Sequence, residues 1–236
     1  MFVDVRWVFP AVHLPLFIDV SSFSVLVVGC GSVGLRRAEL FRRYGARVTV
    51  VCRDGGQRIS GAEPRSIDVR SLDSEALKDL LKPYDIVVVA VDDESLAKSI
   101  ALAALSLKKL VNNAVDYRFG NTVVPLKLSL NGVDIGLTSY GLSVELLRRI
   151  AQKISTSLAQ NTEIKTLYRV SRVLKRCIKK TTPLPKLRIE LYRRIYSDTE
   201  FNNYIEKGDE AGAILRAVDI AREMNTDLEP CISSGG

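Results

Sequence analysis

The chain has 236 residues, of which 47% are hydrophobic and 26% are charged, and its formal net charge is +7. This length and apolar content suffice for the core of one large domain or of two modest ones. We expect no membrane span, because no apolar stretch approaches the roughly 18 residues that a helix needs to cross a bilayer. We also expect no signal peptide, because Asp4 and Arg6 interrupt the N-terminal apolar run.

The four cysteines, Cys30, Cys52, Cys177 and Cys231, are far apart in the sequence and form no CxxC pair. This pattern favours reduced thiols in a cytoplasmic protein over a disulfide framework or a zinc site. The only histidine, His13, cannot build a histidine-based metal site, and no His, Cys and carboxylate cluster has ligand spacing. We therefore predict no bound metal.

An apolar run at residues 25–28 leads into a turn with glycine at positions 29, 31 and 34, and a helix-like stretch and a second strand follow. This order is the fingerprint of a dinucleotide-binding domain. Gly29 permits the tight turn, Gly31 lets the backbone approach a pyrophosphate, and Gly34 lets helix and strand pack closely. We favour a bound dinucleotide over a purely structural glycine turn.

From Phe23 to about Ala114, short apolar strands alternate with helices, which specifies a parallel sheet covered on both faces. The predicted strands are 24–28, 47–52, 66–69, 85–91 and 109–112. The predicted helices are 32–44, 74–81 and 94–107. The N-terminal part is therefore predicted to be a Rossmann-like α/β sheet.

The pattern then changes to a hairpin. Residues 122–130 and 133–139 flank Asn131-Gly132, the strongest short hairpin signal. Helices are predicted at 143–159, 164–180, 186–196 and 210–224. The predicted divisions are a dinucleotide-binding domain with its lead-in at 1–114, a hairpin and helix segment at 115–160, a basic helical domain at 161–224 and a disordered tail at 225–236.

The positive charge is concentrated between Lys165 and Arg194, where eleven Lys or Arg stand against one acid, Glu190. Such a segment attracts nucleic acid, an acidic membrane or a polyanionic small molecule. Nothing in the sequence resembles a helix-turn-helix, an aromatic RNA platform or a zinc finger, which disfavours nucleic acid. A solvated helix face stays open as the alternative.

Four segments together resemble one enzyme family. They are residues 14–19 (LPLFID), 28–38 (VGCGSVGLRRA), 113–116 (NAVD) and 137–143 (LTSYGLS). In this order and spacing they resemble the precorrin-2 dehydrogenase / sirohydrochlorin ferrochelatase family, the dehydrogenase module of sirohaem synthase, over about Leu14 to Ile154. The sequence departs from the family pattern at Gly34, often alanine, at Arg37, usually lysine, and at Val144, usually proline.

The resemblance implies oxidation of precorrin-2 to sirohydrochlorin with NAD⁺ as acceptor in the cytoplasm, and in some members insertion of Fe²⁺, a substrate here and not a cofactor. Because the sequence lacks the methyltransferase module of some sirohaem synthases, we expect no synthesis of precorrin-2. The substrate carries eight carboxylates, so Arg169, Arg172 and Arg176 are candidate substrate contacts. The family is dimeric, which implies a homodimer formed through the hairpin and the helix after Ser143, with no nucleic acid or membrane partner.

Asp116 matches the catalytic aspartate of the family, which would take a proton from the macrocycle. The alternative is that Asp116 only starts the turn before the hairpin. Asn113 and Ser139 are candidate substrate contacts by the same resemblance. Ser139 matches a serine that lies near the active site of family members and can be phosphorylated, and it fits equally well as a turn hydroxyl.

The resemblance and the fingerprint together give the cofactor positions: Gly29, Gly31, Ser32, Val33, Gly34, Arg53, Asp54, Ala90, Val91 and Asp92. Asp54 stands where a ribose-binding acid is expected, whereas Arg53 would accommodate a 2′-phosphate, and we favour NAD over NADP. Asp92 fits a helix cap slightly better than a cofactor contact.

Two other functions compete with the dehydrogenase. A non-catalytic nucleotide-sensing module would explain the glycine turn, but it would not explain residues 113–116 or 138–143. A dehydrogenase of a small metabolite would need a catalytic His or Lys near the nicotinamide, and His13 is poorly placed for that.

Overall fold

The structure is a computed structural model that describes residues 13–53, 61–130 and 132–233. Contacts group the chain into two compact units. The first unit contains the described residues up to Leu126 together with Thr138–Ser143. The second contains Lys127–Leu137 and the described residues from Val144 onward.

The first unit is built on a parallel sheet with the strand order β3-β2-β1-β4-β5. The strands are β1 Ser24–Val28, β2 Arg47–Cys52, β3 Glu63–Ser66, β4 Ile86–Val89 and β5 Leu110–Asn113. The two central strands, β1 and β4, consist almost wholly of buried apolar side chains because helices cover both of their faces.

Three helices cover the sheet: α1 Ser32–Arg43, α2 Ser74–Leu81 and α3 Glu94–Ser106. Successive side chains of β1 point to opposite faces. Val25 and Val27 pack with α1, whereas Leu26 and Val28 belong to the core that includes α2 and α3. The Rossmann-like α/β fold expected from the sequence is confirmed.

The third strand lies three residues earlier than predicted. The prediction at 66–69 followed the apolar pair Ile67 and Val69, but the strand is the polar segment Glu63–Ser66. This segment is an exposed edge strand that pairs with β2 through its backbone. Ile67 and Val69 pack against the core beyond the end of the strand, and Val69 begins a 3₁₀ turn.

The second unit contains a hairpin and six helices among its described residues. The hairpin strands are β6 Leu126–Leu130 and β7 Val133–Leu137, and Asn131 lies outside the described residues. The helices are α4 Val144–Gln160, α5 Thr162–Thr181, α6 Pro185–Ser197, α7 Thr199–Lys207, α8 Glu210–Glu223 and α9 Glu229–Ser233. In the described part of the chain, no helix is both long and apolar enough to cross a membrane.

Helix α7 was not predicted from the sequence. It is short, but its ends carry clear signals: Asp198 caps its start and Gly208, in the left-handed region at φ 81°, follows its end. Phe201 and Ile205 lie on one side of this helix and are buried in the core of the second unit.

The prediction of a disordered tail from residue 225 is wrong as far as Ser233. Leu228 is fully buried, and helix α9 packs with α5. Cys231 in this helix forms a disulfide with Cys177 of α5. A few buried apolar contacts and one covalent bond therefore order a segment whose composition alone resembles a tail.

The expectation of reduced thiols is also wrong, because the four cysteines form two disulfides, Cys30–Cys52 and Cys177–Cys231. The partners are 22 and 54 residues apart in the sequence, but their Cα atoms lie 5.6 and 5.4 Å apart. Parallel pairing of β1 with β2 brings the first pair together, and packing of α9 on α5 brings the second together. Sequence spacing does not reveal proximity of this kind.

We predict that the Cys177–Cys231 bond contributes more stability than the Cys30–Cys52 bond, because it closes the longer loop. Loop-closure entropy gives about 4 kcal/mol for the longer loop and about 3 kcal/mol for the shorter one. The measurement is denaturant unfolding of Cys30→Ala/Cys52→Ala and of Cys177→Ala/Cys231→Ala, each with and without a dithiol reductant. Each variant keeps one of the two bonds, and its unfolding without reductant is the control for its unfolding with reductant. If the reductant does not destabilise a variant, the prediction fails for the bond that this variant keeps.

Candidate functional site

The glycine turn between β1 and α1 is held by close backbone contacts. Gly29 has φ 108°, and its N–H donates to the Val51 carbonyl at 2.9 Å. A Cβ on Gly29 would overlap the carbonyl of Ala90, and a Cβ on Gly34 would overlap the carbonyl of Gly29. These two glycines therefore allow the helix, the turn and β4 to pack together.

Gly31 has a different environment. No atom of the described residues lies within 4 Å of the position that its Cβ would take. Gly31 also lines a cavity at the carboxyl ends of β1, β2 and β4. Its missing side chain thus leaves the backbone bare towards open space, which is what the close approach of a pyrophosphate requires.

This cavity brings together six of the ten predicted cofactor residues: Gly29, Gly31, Arg53, Ala90, Val91 and Asp92. Parallel strands place their carboxyl ends at one edge of the sheet, where open α/β sheets bind ligands. Asp54 lies outside the described residues. Gly34 is buried, and Ser32 and Val33 are exposed in the first turn of α1, outside the cavity lining.

The first turn of α1 presents its backbone amides without a side-chain cap. Gly31 occupies the cap position, and the first turn contains no acidic residue. Free amides and the positive end of the helix dipole favour an anion at this point. Any role of Ser32 and Val33 in cofactor binding would therefore come through their N–H groups.

Among the lining residues that sequence reasoning missed are two charged ones, Asp68 and Arg70, which lie at the 3₁₀ turn Val69–Ser71 after β3. The Asp68 carboxylate accepts the N–H of Arg70 at 3.0 Å. Because the third strand was predicted too late in the chain, this turn was read as strand. An Asp-x-Arg segment just after an apolar residue was the signal that could have identified it.

The preference for Asp92 as a helix cap is wrong. The side chain that caps α3 is Asp93, whose carboxylate accepts the N–H of Leu96 at 3.0 Å. Asp92 stands one residue earlier, is exposed and lines the cavity. Composition alone does not show which of two adjacent acids caps the helix and which lines the cavity.

Asp116 follows β5 and caps a short 3₁₀ turn, Tyr117–Phe119. Its Oδ1 accepts the backbone N–H of Arg118 at 3.0 Å. Upstream, the Asn113 Oδ1 accepts the N–H groups of Val115 and Asp116, at 3.0 and 3.1 Å. The turn-starting role of Asp116 is therefore present in the structure, and its catalytic role remains a prediction.

Arg118 also grips the Asp116 carboxylate with its side chain. The Arg118 Nε lies 2.9 Å from Oδ1, and Nη2 lies 2.7 Å from Oδ2. This guanidinium lowers the pKa of Asp116 below its ordinary value. Asp116 is thus held ionised, which leaves it able to accept a proton but makes it a weaker base.

Asn113 is only 3% exposed, and its Nδ2 makes no hydrogen bond to the described residues. The neighbouring Asn112 donates its Nδ2 to the Thr122 carbonyl at 3.0 Å. Asn113 therefore acts in the structure by shaping the turn that carries Asp116. The predicted contact of Asn113 with substrate stays a prediction.

The loop that carries Ser139 is closed by its own hydroxyl. The Ser139 Oγ accepts the Ser143 N–H at 3.2 Å and donates to the Ser143 carbonyl at 3.3 Å. This is the turn role, and the substrate role stays a prediction. Tyr140, next in the loop, has φ 50°, a conformation that a bulky residue rarely adopts.

An aromatic group joins this loop to the turn of Asp116. The ring of Tyr140 lies 5.4 Å from the ring of His13 and 6.3 Å from the ring of Tyr117. Sequence reasoning did not single out Tyr117, Arg118 or Tyr140. Their signal was position: Tyr117 and Arg118 directly follow the segment NAVD, and Tyr140 lies within LTSYGLS.

The predicted basic contacts lie on α5 in the second unit. Arg169 forms an ion pair with Glu210 at 2.6 Å, and Arg172 lies over the ring of Tyr168 at 5.8 Å. Arg176 and Lys179 are exposed on the same side of the helix. We call Lys165, Arg169, Arg172, Arg176 and Lys179 the basic stripe of α5.

Metal binding finds no support among the side chains. Within residues 13–53, 61–130 and 132–233, no group of three or more His, Cys, Asp or Glu side chains is arranged to hold an ion.

Comparison with known proteins adds independent evidence. Residues 16–126 match the family model described as "Putative NAD(P)-binding". A "Putative precorrin-2 dehydrogenase" of Methanocaldococcus jannaschii is 26% identical over 201 residues, which cover 82% of this chain and 95% of that protein. A "Precorrin-2 dehydrogenase" of Priestia megaterium is 28% identical over 142 residues, 60% of this chain and 69% of that protein. The chain is therefore similar to two proteins that are named as precorrin-2 dehydrogenases.

Longer relatives match as well. A siroheme synthase of Psychromonas ingrahamii is 23% identical over 223 residues, which cover 94% of this chain but only 45% of that protein. Among solved structures, "SirC, precorrin-2 dehydrogenase" covers 90% of this chain and 99% of that chain with a TM-score of 0.58 and 20% identity. This structural likeness shows that the two proteins share a fold.

We predict that Gly31→Asp abolishes dinucleotide binding. The new carboxylate would occupy the open space beside the α1 amides and repel a pyrophosphate. Calorimetry measures the affinity, and thermal unfolding verifies the fold, which should persist because nothing described stands within 4 Å of the new Cβ. Gly31→Ala is the graded control and should bind more weakly than wild type but better than the aspartate variant. Unchanged affinity in Gly31→Asp would remove the glycine turn from the site.

Proposed function

We propose that this chain is an NAD-dependent precorrin-2 dehydrogenase, which oxidises precorrin-2 to sirohydrochlorin. The observation that carries the proposal is the cavity at the carboxyl ends of β1, β2 and β4, with bare Gly31 backbone towards open space. Two relatives that this chain matches over most of their length bear that name.

The residues present fit a dinucleotide. The bare backbone at Gly31 and the uncapped amides of α1 would hold the pyrophosphate, while the end of β2 would receive the ribose. When bound, the nicotinamide supplies the acceptor for a hydride. The Asp116 carboxylate accepts the proton that the macrocycle loses, so one hydride and one proton leave the substrate together.

For the cofactor we propose NAD in preference to NADP, as the family resemblance implies. The cavity offers support for both, because it contains the acid Asp68 and the cations Arg53 and Arg70. An acid suits a free ribose hydroxyl, and a cation suits a 2′-phosphate. Turnover with NAD⁺ and with NADP⁺ at equal concentration decides between them.

If the chain also makes sirohaem, we propose that Fe²⁺ is a substrate of that step and not a resident metal. The support is chemical: with no set of metal ligands in the described residues, iron would be held by the nitrogens and carboxylates of the macrocycle. Addition of Fe²⁺ to the enzyme with sirohydrochlorin, read by the sirohaem spectrum, tests this step.

The basic stripe of α5 supports a polycarboxylate substrate. Its cations are spaced so that they lie along one exposed side of a helix. Such a row raises the local concentration of an anion and speeds its encounter. Arg169 is paired with Glu210, so we expect part of its charge to be offset before a substrate binds.

We propose a homodimer through the segment 115–160. In this segment α4 buries only Ala151, while Leu146 and Ile150, one helical turn apart, are exposed large apolar residues on the same side. An exposed apolar helix face of this kind favours association. Sedimentation equilibrium at several protein concentrations measures the oligomeric state.

We propose the cytoplasm as the compartment, since the relatives are named as biosynthetic enzymes. Two disulfides are unusual there except in hyperthermophiles, whose intracellular proteins often contain them.

One assay tests the proposed activity. Pure protein is incubated anaerobically with precorrin-2 and NAD⁺, and the sirohydrochlorin spectrum and NADH absorbance are followed together. We expect both to rise in parallel. A nucleotide-sensing module would bind the dinucleotide without turnover, and a dehydrogenase of a small metabolite would leave precorrin-2 unchanged.

We predict that Asp116→Asn lowers turnover by about 10²–10⁴-fold, the usual effect of removing a general base. Asparagine caps helices as well as aspartate does, so the turn and NAD binding should persist. Asp73→Asn is the matched control, because Asp73 caps α2 with the same type of hydrogen bond. Near wild-type turnover in Asp116→Asn would overturn the catalytic assignment and leave only the turn-starting role.

We predict that Arg172→Gln/Lys179→Gln raises the KM for precorrin-2 and makes it less sensitive to salt, with NAD affinity unchanged. The reason is that two cations leave the basic stripe of α5. Lys82→Gln/Lys108→Gln removes the same charge from exposed positions in the first unit and controls for net charge. Equal KM values in the two variants would mean that the stripe is a solvated helix face.

A further inference from the structure

Arg118 stands out because it is a strong carboxylate ligand whose guanidinium, among the described residues, hydrogen-bonds to its near neighbour Asp116. Its guanidinium makes a bidentate pair with Asp116, two residues earlier in the same turn. The Arg118 side chain is 73% exposed, whereas that of Asp116 is 23% exposed. The arginine therefore faces solvent, and the aspartate lies beneath it.

The two partners differ in how firmly they are fixed. Asp116 is held by its backbone, through Asn113, and by the N–H of Arg118, which its carboxylate accepts. Within the part of the chain that the structure describes, the Arg118 guanidinium donates its hydrogen bonds to the Asp116 carboxylate alone. An exposed ion pair stabilises little, so another carboxylate can replace Asp116 as its partner at small cost.

We propose that Arg118 binds a carboxylate of the macrocyclic substrate and in doing so releases Asp116. This inference rests on the proposed function and adds a substrate-binding residue to it. The Nε/Nη2 edge of the guanidinium fits one carboxylate at a time in bidentate geometry, so a substrate carboxylate that takes this edge displaces Asp116. A substrate with eight carboxylates supplies the competitor, and Asp116 stays in place because the turn holds it.

The exchange links substrate binding to the strength of the base. In the free enzyme Arg118 lowers the pKa of Asp116. Once the guanidinium has moved to the substrate, the pKa of Asp116 rises and the carboxylate becomes a better proton acceptor. The other charged groups that face this turn are Lys98 and Glu94 of α3: Lys98 also lowers the pKa of Asp116, and Glu94 acts on Arg118.

The test uses Arg118→Gln, which cannot bind a carboxylate as a cation. The matched control is Arg43→Gln, because Arg43 is 71% exposed and pairs with Glu39 at 2.8 Å at the far end of α1. Steady-state kinetics with precorrin-2 give KM and kcat, and absorbance titration gives the Kd of sirohydrochlorin, which has the same carboxylates. Calorimetry with NAD⁺ verifies the cofactor site.

For Arg118→Gln we expect a KM and a product Kd about tenfold higher than those of wild type, with kcat and NAD⁺ affinity nearly unchanged. The acid limb of kcat/KM should move to higher pH, because the pKa of Asp116 rises when Arg118 is removed. The acid limb of kcat should move little, because Arg118 is already displaced in the complex. Arg43→Gln should match wild type throughout.

Other outcomes would overturn the inference. If Arg118 only props the turn, Arg118→Gln would lower kcat and leave KM and product Kd as they are. If wild type oxidises precorrin-2 and binds sirohydrochlorin, and Arg118→Gln does both equally well, the inference fails while the proposed function stands. A wild-type protein that neither oxidises precorrin-2 nor binds sirohydrochlorin would overturn the proposed function, and this inference with it.

Discussion

The close approach of three backbone segments at the end of β1 is the constraint on which the rest of the first unit depends. Gly34 lies under the carbonyl of Gly29, and Gly29 lies against Ala90 after β4. Side chains at the two glycines would push α1 away from the sheet and open the turn. Because they are absent, the first amides of α1 stand at the sheet edge, where the cavity lies.

The second element of the site depends on hydrogen bonds and not on close packing. Asn113 ends β5 nearly buried and uses one oxygen to hold two successive amides. That fixes where Asp116 starts its turn, and Arg118 then closes over the carboxylate. A buried amide therefore sets the position of an ionised group that itself stays within reach of solvent.

Much of the first unit could be predicted because its signals are local. The apolar runs of β1 and β4 and the glycine turn each act over a few residues. The edge strand β3 was misplaced because an edge strand pairs through backbone and carries no apolar pattern. The pairing of Arg118 with Asp116 depends on the shape of one turn, and no periodicity records it.

In the second unit two of the misses, helix α9 and the Cys177–Cys231 bond, have a common cause, which is contact between distant parts of the chain. Helix α9 was missed because its order comes from buried Leu228 and from a bond to Cys177. Cys177 and Cys231 looked unrelated because 54 residues separate them in the sequence. Composition near a terminus reports local propensity and does not report what the segment meets after folding.

The Cys30–Cys52 bond has a consequence for the thermodynamics of ligand capture. Cys30 lies between the two glycines of the turn, Cys52 ends β2, and both line the cavity. The turn is thereby tied to a neighbouring strand of the central sheet and cannot fluctuate independently of it. A flexible phosphate-binding turn loses conformational entropy when it binds its ligand. Here the disulfide removes that entropy beforehand, so the entropic cost of binding is smaller.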